Sequence, residues 1–275
     1  MVKITILVDN NLNPDNPFLK AEHGFSAYVE YEKLKILCDT GASDLFLRNA
    51  GVLEKSIEDI NFSVISHGHY DHSGGLAYLL DSNLKNIYLS DKIFGRQFYS
   101  LRHEHKRNIG TDSALLPEYP EIFKILHDSV WLSHDIALVK NKSDQFLKPI
   151  GNQYLTVSDN NGERNDDFCH EQALVIIDNN QLIILSPCSH NGAANIITSC
   201  QQFTGVHAIK AFIGGLHFID HPDTQEEVTQ FIRDINLVAP EAQIYTGHCT
   251  GDIAKKLLSD DVRMHFFYVG AVIKI

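Results

Sequence analysis

The stretch Phe62-Ser63-Val64-Ile65-Ser66-His67-Gly68-His69-Tyr70-Asp71-His72-Ser73-Gly74-Gly75 decides how this chain is read. Phe62 to Ser66 is short and rich in aromatic and β-branched residues, the pattern of a strand. An apolar helix start follows Gly75. Between them stand four potential ligands within six positions: His67, His69, Asp71 and His72. Burying so many polar groups without partners would cost free energy, so packing alone does not account for them. At a strand end they can converge. His67 and His69, two apart, can reach one ion from an extended or tightly turned backbone. Asp71 and His72, on the turn into the helix, can reach a second ion beside it. Gly68, Gly74 and Gly75 give the backbone room to bend there. Imidazole with carboxylate suits zinc, iron or manganese better than calcium. A histidine-rich surface loop without metal would leave the density of the pattern at this junction unexplained.

Working outward, Val2 to Val8, Phe25 to Tyr31 and Leu34 to Cys38 read as further strands, with Glu32-Lys33 at a hairpin tip. A polar section from about 91 to 167 is less regular and is expected as an insertion near the active site. It should mix a helix, the basic stretch Arg102 to Arg107, a turn at Pro117 and Pro120, and a strand through Trp131 to Val139. Beyond it, Ala173 to Ile177 and Leu182 to Ser186 pair about a turn at Asp178-Asn179-Asn180. A helix with Ile196, Ile197, Cys200 and Phe203 on one face follows, then a strand from His207 to Ile213. After Pro222 the spacing of Val228, Phe231, Ile232 and Ile235 predicts a helix, capped by Asp223 or Thr224 and favoured by Glu226 and Glu227 in its first turn. A strand (Gln243 to Thr246), a short helix (Asp252 to Leu258) and a strand end (His265 to Ile275) complete the pattern. No repeat or linker divides the chain, so one domain over 1–275 is expected. Strands in two groups, each followed by helices, predict a two-sheet core covered by helices on both outer faces.

Composition narrows the function. At 275 residues, with 44% hydrophobic and 21% charged residues, the chain is ordinary globular protein. No apolar run approaches the ~20 residues a membrane-spanning helix needs, and the N-terminus lacks the pattern of a signal peptide. Five scattered cysteines, an odd number, argue against a disulfide framework and for a reducing compartment, so a cytoplasmic protein without membrane contact is expected. A formal net charge of -12 disfavours nucleic acid as a partner and leaves a small molecule as the expected one. Fifteen histidines exceed what packing needs and point toward metal. Oligomeric state stays open, a homo-oligomer included.

The motif His67-x-His69-x-Asp71-His72 resembles the HxHxDH signature of the metallo-β-lactamase superfamily in full, and Cys38-Asp39-Thr40-Gly41 resembles its earlier strand-end Asp and Gly turn. The resemblance implies an α/β, four-layer αββα sandwich. It implies that Asp39 positions the metal loop without being a ligand. Ser186-Pro187-Cys188-Ser189-His190 and Thr246-Gly247-His248-Cys249 place later histidines at strand ends in the superfamily's order. By that pattern His190 joins His67 and His69 on the first metal, and His248 joins Asp71 and His72 on the second. Glu22-His23-Gly24-Phe25-Ser26, Asp167-Phe168-Cys169-His170-Glu171-Gln172-Ala173-Leu174, Gly214-Gly215-Leu216-His217 and His248-Cys249-Thr250-Gly251 are similar to the 7,8-dihydropterin-6-methyl-4-(β-D-ribofuranosyl)aminobenzene 5'-phosphate synthase-like branch.

One departure stands out. Many members carry a metal-bridging Asp at a strand end between the last two histidine motifs, where this chain has Gly214-Gly215-Leu216-His217. His217 is therefore open to a ligand, proton-transfer or simple capping role, and Glu171 to a place at the site rim. The expected cofactor is one or two divalent ions, zinc first, with manganese or iron as alternatives. Metal coordination brings the pKa of water from ~16 toward ~7, so the first function expected is metal-dependent hydrolysis of a phosphate ester, phosphodiester or related substrate. Asp71 would ligate and orient the nucleophile, and His217 would protonate the leaving group. Lys92, Arg96, Arg102, Lys106 and Arg107 are candidates to hold a phosphate. A pterin-type synthase or transferase is the second reading, and a non-catalytic metal-binding or sensing protein the third.

Overall fold

The structure, a computed structural model, describes residues 1–80, 86–103, 105–112, 114 and 119–275. The turn expected at Pro117 lies outside them. Along the chain run β1 (Val2–Val8), β2 (Ser26–Tyr31), β3 (Leu34–Cys38), α1 (Leu45–Val52), β4 (Phe62–Val64), α2 (Tyr70–Ser73), α3 (Leu76–Leu80), β5 (Ile87–Ser90), β6 (Gln97–His103), β7 (His105–Asn108), β8 (Phe123–Leu126), β9 (Val130–Trp131), β10 (Ile136–Lys140), β11 (Leu155–Asp159), β12 (Gly162–Asn165), β13 (Gln172–Asp178), β14 (Gln181–Leu185), α4 (Ala193–Thr204), β15 (Ile209–Ile213), α5 (Thr224–Val238), β16 (Gln243–Thr246), α6 (Asp252–Leu258), β17 (Met264–Phe266) and β18 (Val272–Lys274). The chain forms two compact units: residues 1–127, 155–166 and 267–275 make the first, and residues 128–154 and 167–266 the second.

In the first unit a seven-stranded sheet runs in the order β18-β1-β2-β3-β4-β5-β8, beside a four-stranded sheet β12-β11-β6-β7. β18, β1, β2 and β3 pair antiparallel, and β3, β4, β5 and β8 run parallel. Leu7, Tyr28, Leu37, Phe46, Ala50, Leu76, Leu79 and Ile87 bury one face of the large sheet under α1 and α3. The carboxyl ends of β3 and β4, neighbours in the parallel part, lead directly to Asp39 and to the His67 loop.

The second unit is a sheet in the order β17-β16-β15-β14-β13-β10-β9, with β14 to β17 parallel and β9, β10 and β13 antiparallel. The β13–β14 hairpin turns at Asn179 and Asn180, both with positive φ (51° and 60°), the conformation asparagine tolerates in tight hairpins. Phe212 and Ile244 of the sheet pack against Ile197 of α4, Val228, Phe231 and Ile235 of α5, and Leu258 of α6. The apolar stripe expected after Pro222 is this buried face of α5. Its start is held by Thr224, whose Oγ1 accepts from the His221 amide and donates to its carbonyl, while Asp223 makes no side-chain cap.

Both units thus show the α/β class expected, each as a sheet with helices on it. Three local expectations are corrected. Residues 97–103 and 105–108 form the antiparallel pair β6 and β7, and among the described residues no α-helix lies between 91 and 167. Phe98 and Ser100 are buried while Gln97, Tyr99 and Leu101 are not, a period of two that the charges of Arg102 to Arg107 obscure. The Trp131–Val139 strand is two strands joined by a turn in which Leu132 and Ser133 amides both donate to the Ile136 carbonyl. His265 to Ile275 divides into β17 and β18, which belong to different sheets.

Candidate metal centre

Asp39 sits fully buried at the end of β3 with φ +58°. Its Oδ1 accepts from the Ser66 amide (2.7 Å), and its Oδ2 accepts from Ser66 Oγ (2.7 Å) and stands 2.7 Å from His72 Nδ1. A carboxylate only accepts, so the His72 hydrogen lies on Nδ1 and its lone pair on Nε2. Ser66 has one hydroxyl hydrogen, and it goes to Asp39. His67 Nδ1, 2.8 Å from the same hydroxyl, must then donate to it, which puts the His67 lone pair on Nε2 as well. One carboxylate, through one serine, sets the tautomer of two imidazoles. This is the support that metal-binding histidines commonly have.

The rings that Asp39 organises are close together. His67 lies 4.6 Å from His69 and 4.1 Å from His72, centroid to centroid, and all three are buried. His72 Nε2 is 3.7 Å from Asp71 Oδ2, and His23 Nε2 is 3.2 Å from the same oxygen. His69 Nε2 is 3.9 Å from Asp166 Oδ2, and its ring rests against Phe98 at 5.7 Å. The loop after β7 fastens to this segment, with Thr111 N donating to Gly68 O and Tyr70 N to Ile109 O. At Gly75 a Cβ would meet Thr40 O at 2.5 Å, so glycine is what allows α3 to start against the Asp39 loop.

In the second unit His190, His217 and His248 leave the carboxyl ends of the parallel strands β14, β15 and β16, the edge where α/β sheets place their ligands. Phe168 stacks on the His190 ring (4.6 Å, 5° between planes), and His217 lies 4.2 Å from it. Asn152 Nδ2 donates to His190 O at 2.7 Å, and its carbonyl oxygen faces His190 Nδ1 at 3.3 Å. That oxygen only accepts, so the His190 lone pair too lies on Nε2. Glu171 is buried beneath the loop, not on a rim. Its oxygens accept from the His190 amide (2.7 Å), the Asn191 amide (2.9 Å) and Asn191 Nδ2 (2.8 Å). Burial pushes its carboxyl above the ordinary range, and those donors oppose the rise.

Backbone strain gathers on these loops. Asp39, Phe168, Ser189, His217 and His248 all have positive φ, between 33° and 58°. Each costs about 1–3 kcal/mol and persists only where its surroundings over-determine it. Two cysteines to which the sequence reading gave no role stand beside His248: donor atoms of Cys188, His248 and Cys249 lie within 4.8 Å of one another. Ser66, His23 and Asp166 were missed as well. Ser66 and His23 were inside quoted motifs, whereas nothing local marks Asp166.

The basic residues proposed for phosphate are partly engaged elsewhere. Lys92 pairs with Asp91, Arg96 with Asp159 and Lys106 with Glu163. A cavity of about 370 Å³ in the second unit, lined by Leu216, Phe218 and Phe231, carries Glu226, Glu227 and Asp234 against the single cation Lys148. Lys148 itself pairs with Asp144 at 3.2 Å, so this cavity is no seat for a phosphate.

The sequence profile described as the metallo-β-lactamase superfamily matches residues 19–147, the span that holds Asp39 and the HxHxDH motif. An uncharacterised protein of Methanocaldococcus jannaschii is 27% identical over 281 residues, covering 99% of this chain and 100% of its own length. A second protein of that organism, named 7,8-dihydropterin-6-methyl-4-(β-D-ribofuranosyl)-aminobenzene-5'-phosphate synthase, is 27% identical over 291 residues, covering 99% and 96%. The crystal structure of a metal-dependent hydrolase of the β-lactamase superfamily matches with a TM-score of 0.83 and 28% identity over 100% of this chain and 99% of that one. Residues 19–147 thus match the metallo-β-lactamase superfamily model, and over its full length the chain is similar in sequence and fold to a metal-dependent hydrolase of that superfamily.

Proposed function

We propose that this chain is a metal-dependent hydrolase acting on a small phosphate ester, phosphodiester or related substrate. The observation that carries the reading is the buried Asp39–Ser66 pair, which sets His67 and His72 in the one tautomer that presents Nε2 to an ion. The donor set fits a divalent ion of the zinc, iron or manganese kind, with zinc first. By the superfamily's pattern His67, His69 and His190 hold one ion, and Asp71, His72 and His248 a second. Bound there, such an ion supplies Lewis acidity and lowers the pKa of water toward neutrality.

The chain's own groups do the rest. Asp71 orients the attacking water, and His23, 3.2 Å away, steadies its carboxylate. His217 hands a proton to the leaving oxygen. Asn152 and Glu171 keep His190 in register by holding its ring and its amide.

A second reading, a pterin-type synthase or transferase, is favoured by one observation: the named synthase aligns with 99% of this chain. Metal content of protein purified without chelator, followed by a substrate screen with the bound metal, tests both. About one or two ions per chain, sharply fewer in His67→Ala and His190→Ala, together with turnover of phosphoesters, supports hydrolysis. Turnover only when a pterin and a ribofuranosylaminobenzene phosphate are supplied together supports the synthase. Metal with no turnover of any class favours a binding or sensing role, and no metal at all sinks the enzyme reading.

A further inference from the structure

The loop that follows β15 carries no side chain where a strand-end carboxylate would be useful to a second ion. Gly214 has φ +145°, and a Cβ built on it would lie 1.9 Å from Ser186 O. A Cβ on Gly215 would lie 2.3 Å from Cys249 Sγ. The space at the end of β15 is therefore occupied by a sulfur that arrives from the loop after β16. Gly215 N donates to Pro187 O at 2.7 Å, and Cys249 Sγ donates to Cys188 O at 3.6 Å, which ties the loops after β14, β15 and β16 together around that sulfur.

From this arrangement we infer that Cys249 and Cys188 are thiolate ligands that join His248 on the ion it holds, adding negative charge where the end of β15 supplies no carboxylate. The inference rests on the metal reading above and deepens it. Sulfur and nitrogen donors of the three residues lie within 4.8 Å of one another. Donors around a tetrahedral zinc with sulfur ligands are separated by roughly 3.7 Å, so small side-chain rotations close the set. His248 immediately precedes Cys249 on the loop after β16 and is held in a strained conformation, φ +33°. Both cysteines are thiols here. Cys188 is buried and Cys249 partly so. On binding, each coordinating thiol gives up its proton to solvent and keeps its electron pair as the donor. Two thiolates and an imidazole select zinc, iron(II) or cobalt(II) over manganese and magnesium, which prefer oxygen.

The test uses full-length protein kept reduced and loaded with cobalt(II) in place of the native ion, with Cys188→Ser and Cys249→Ser beside it. The expected result is an intense near-ultraviolet thiolate-to-cobalt absorption in the wild type that weakens in either variant. Zinc affinity should fall about tenfold or more in Cys249→Ser. Zinc should also slow alkylation of both cysteines, and a chelator should restore it. Melting curves of the metal-free proteins check that serine leaves the fold intact. Visible cobalt bands without the ultraviolet absorption, unchanged in both variants, would overturn thiolate ligation and leave the histidine site standing. No cobalt uptake at all would overturn this inference and the metal reading together.

Discussion

Three hydrogen bonds converge on the two oxygens of Asp39, and all three require an acceptor. Replacing Asp39 by Asn turns one oxygen into an amide donor facing Ser66 Oγ and His72 Nδ1, both of which now donate to it. The relief available to His72 is to move its hydrogen to Nε2, which removes the lone pair an ion needs. Asp39→Asn should fold and should lower zinc affinity about 10–100-fold, measured by competition with a chromophoric chelator. Wild-type affinity in that variant would show that Asp39 does not set the tautomers. Glu171 makes a parallel case: Glu171→Gln puts an amide donor against the backbone amides of His190 or Asn191, and about 1–3 kcal/mol of stability should go in urea denaturation. At this scale His67, His69, Asp71 and His72 were legible because they are contiguous. Ser66 was not, since a serine before a histidine has no distinctive chemistry until Asp39 is placed 27 positions earlier and within reach. The cysteines were read as scattered for a similar reason: 61 residues separate Cys188 from Cys249, and only the parallel strands bring them together.

Among the elements, those with a strong single period were readable and those carrying dense charge were not. α5 shows its apolar stripe openly, and β13–β14 announce their hairpin by two asparagines. β6 and β7 hide theirs, because β7 is exposed throughout and its register is fixed by Ser100 and Tyr99 pairing with Arg107 and Asn108. The next hairpin, β11–β12, offers a pH test. The Arg164 guanidinium grips both oxygens of Asp159 (3.0 and 2.9 Å) and holds its carboxyl down at about 2 from the usual 3.8. A depressed carboxyl stabilises the fold above its ordinary value, and that contribution is lost as pH falls from there through about 2. Titration of Asp159 by NMR should show the low midpoint and its return toward the usual value in Arg164→Gln. An unchanged midpoint in the variant would exclude the pairing as the cause. In the second unit, Gly214→Ala forces an L side chain into a glycine conformation and against Ser186 O. Backbone strain alone should remove about 1–3 kcal/mol, visible as a lower urea midpoint. Retention of the wild-type midpoint would mean that the β15 exit is less constrained than its geometry implies.

For the whole molecule, an ion bound only by the folded chain adds to its stability. With free zinc at a hundred times its dissociation constant the gain is ~2.7 kcal/mol, so chelation should lower the melting temperature by several degrees. Protein verified to carry metal whose melting point a chelator leaves unchanged would argue that the bound ion is peripheral. The overall α/β class was legible from strand and helix periods, while the division of the chain between two units was not. Pairing partners far apart in sequence leave no local mark. The pairing of β1 with β18, Lys3 against Lys274 and Ile4 against Ile273, is the extreme case. A ribosome that has delivered β1 through β8 has not delivered the edge of their sheet, and some 145 further residues must emerge before it arrives. Until then the nascent sheet carries a bare strand of seven residues, VKITILV, with every requirement for sticking to another growing chain. Expression yield of this protein should therefore respond to the speed of translation and to chaperones that shield exposed strands more than to substitutions at the candidate metal ligands.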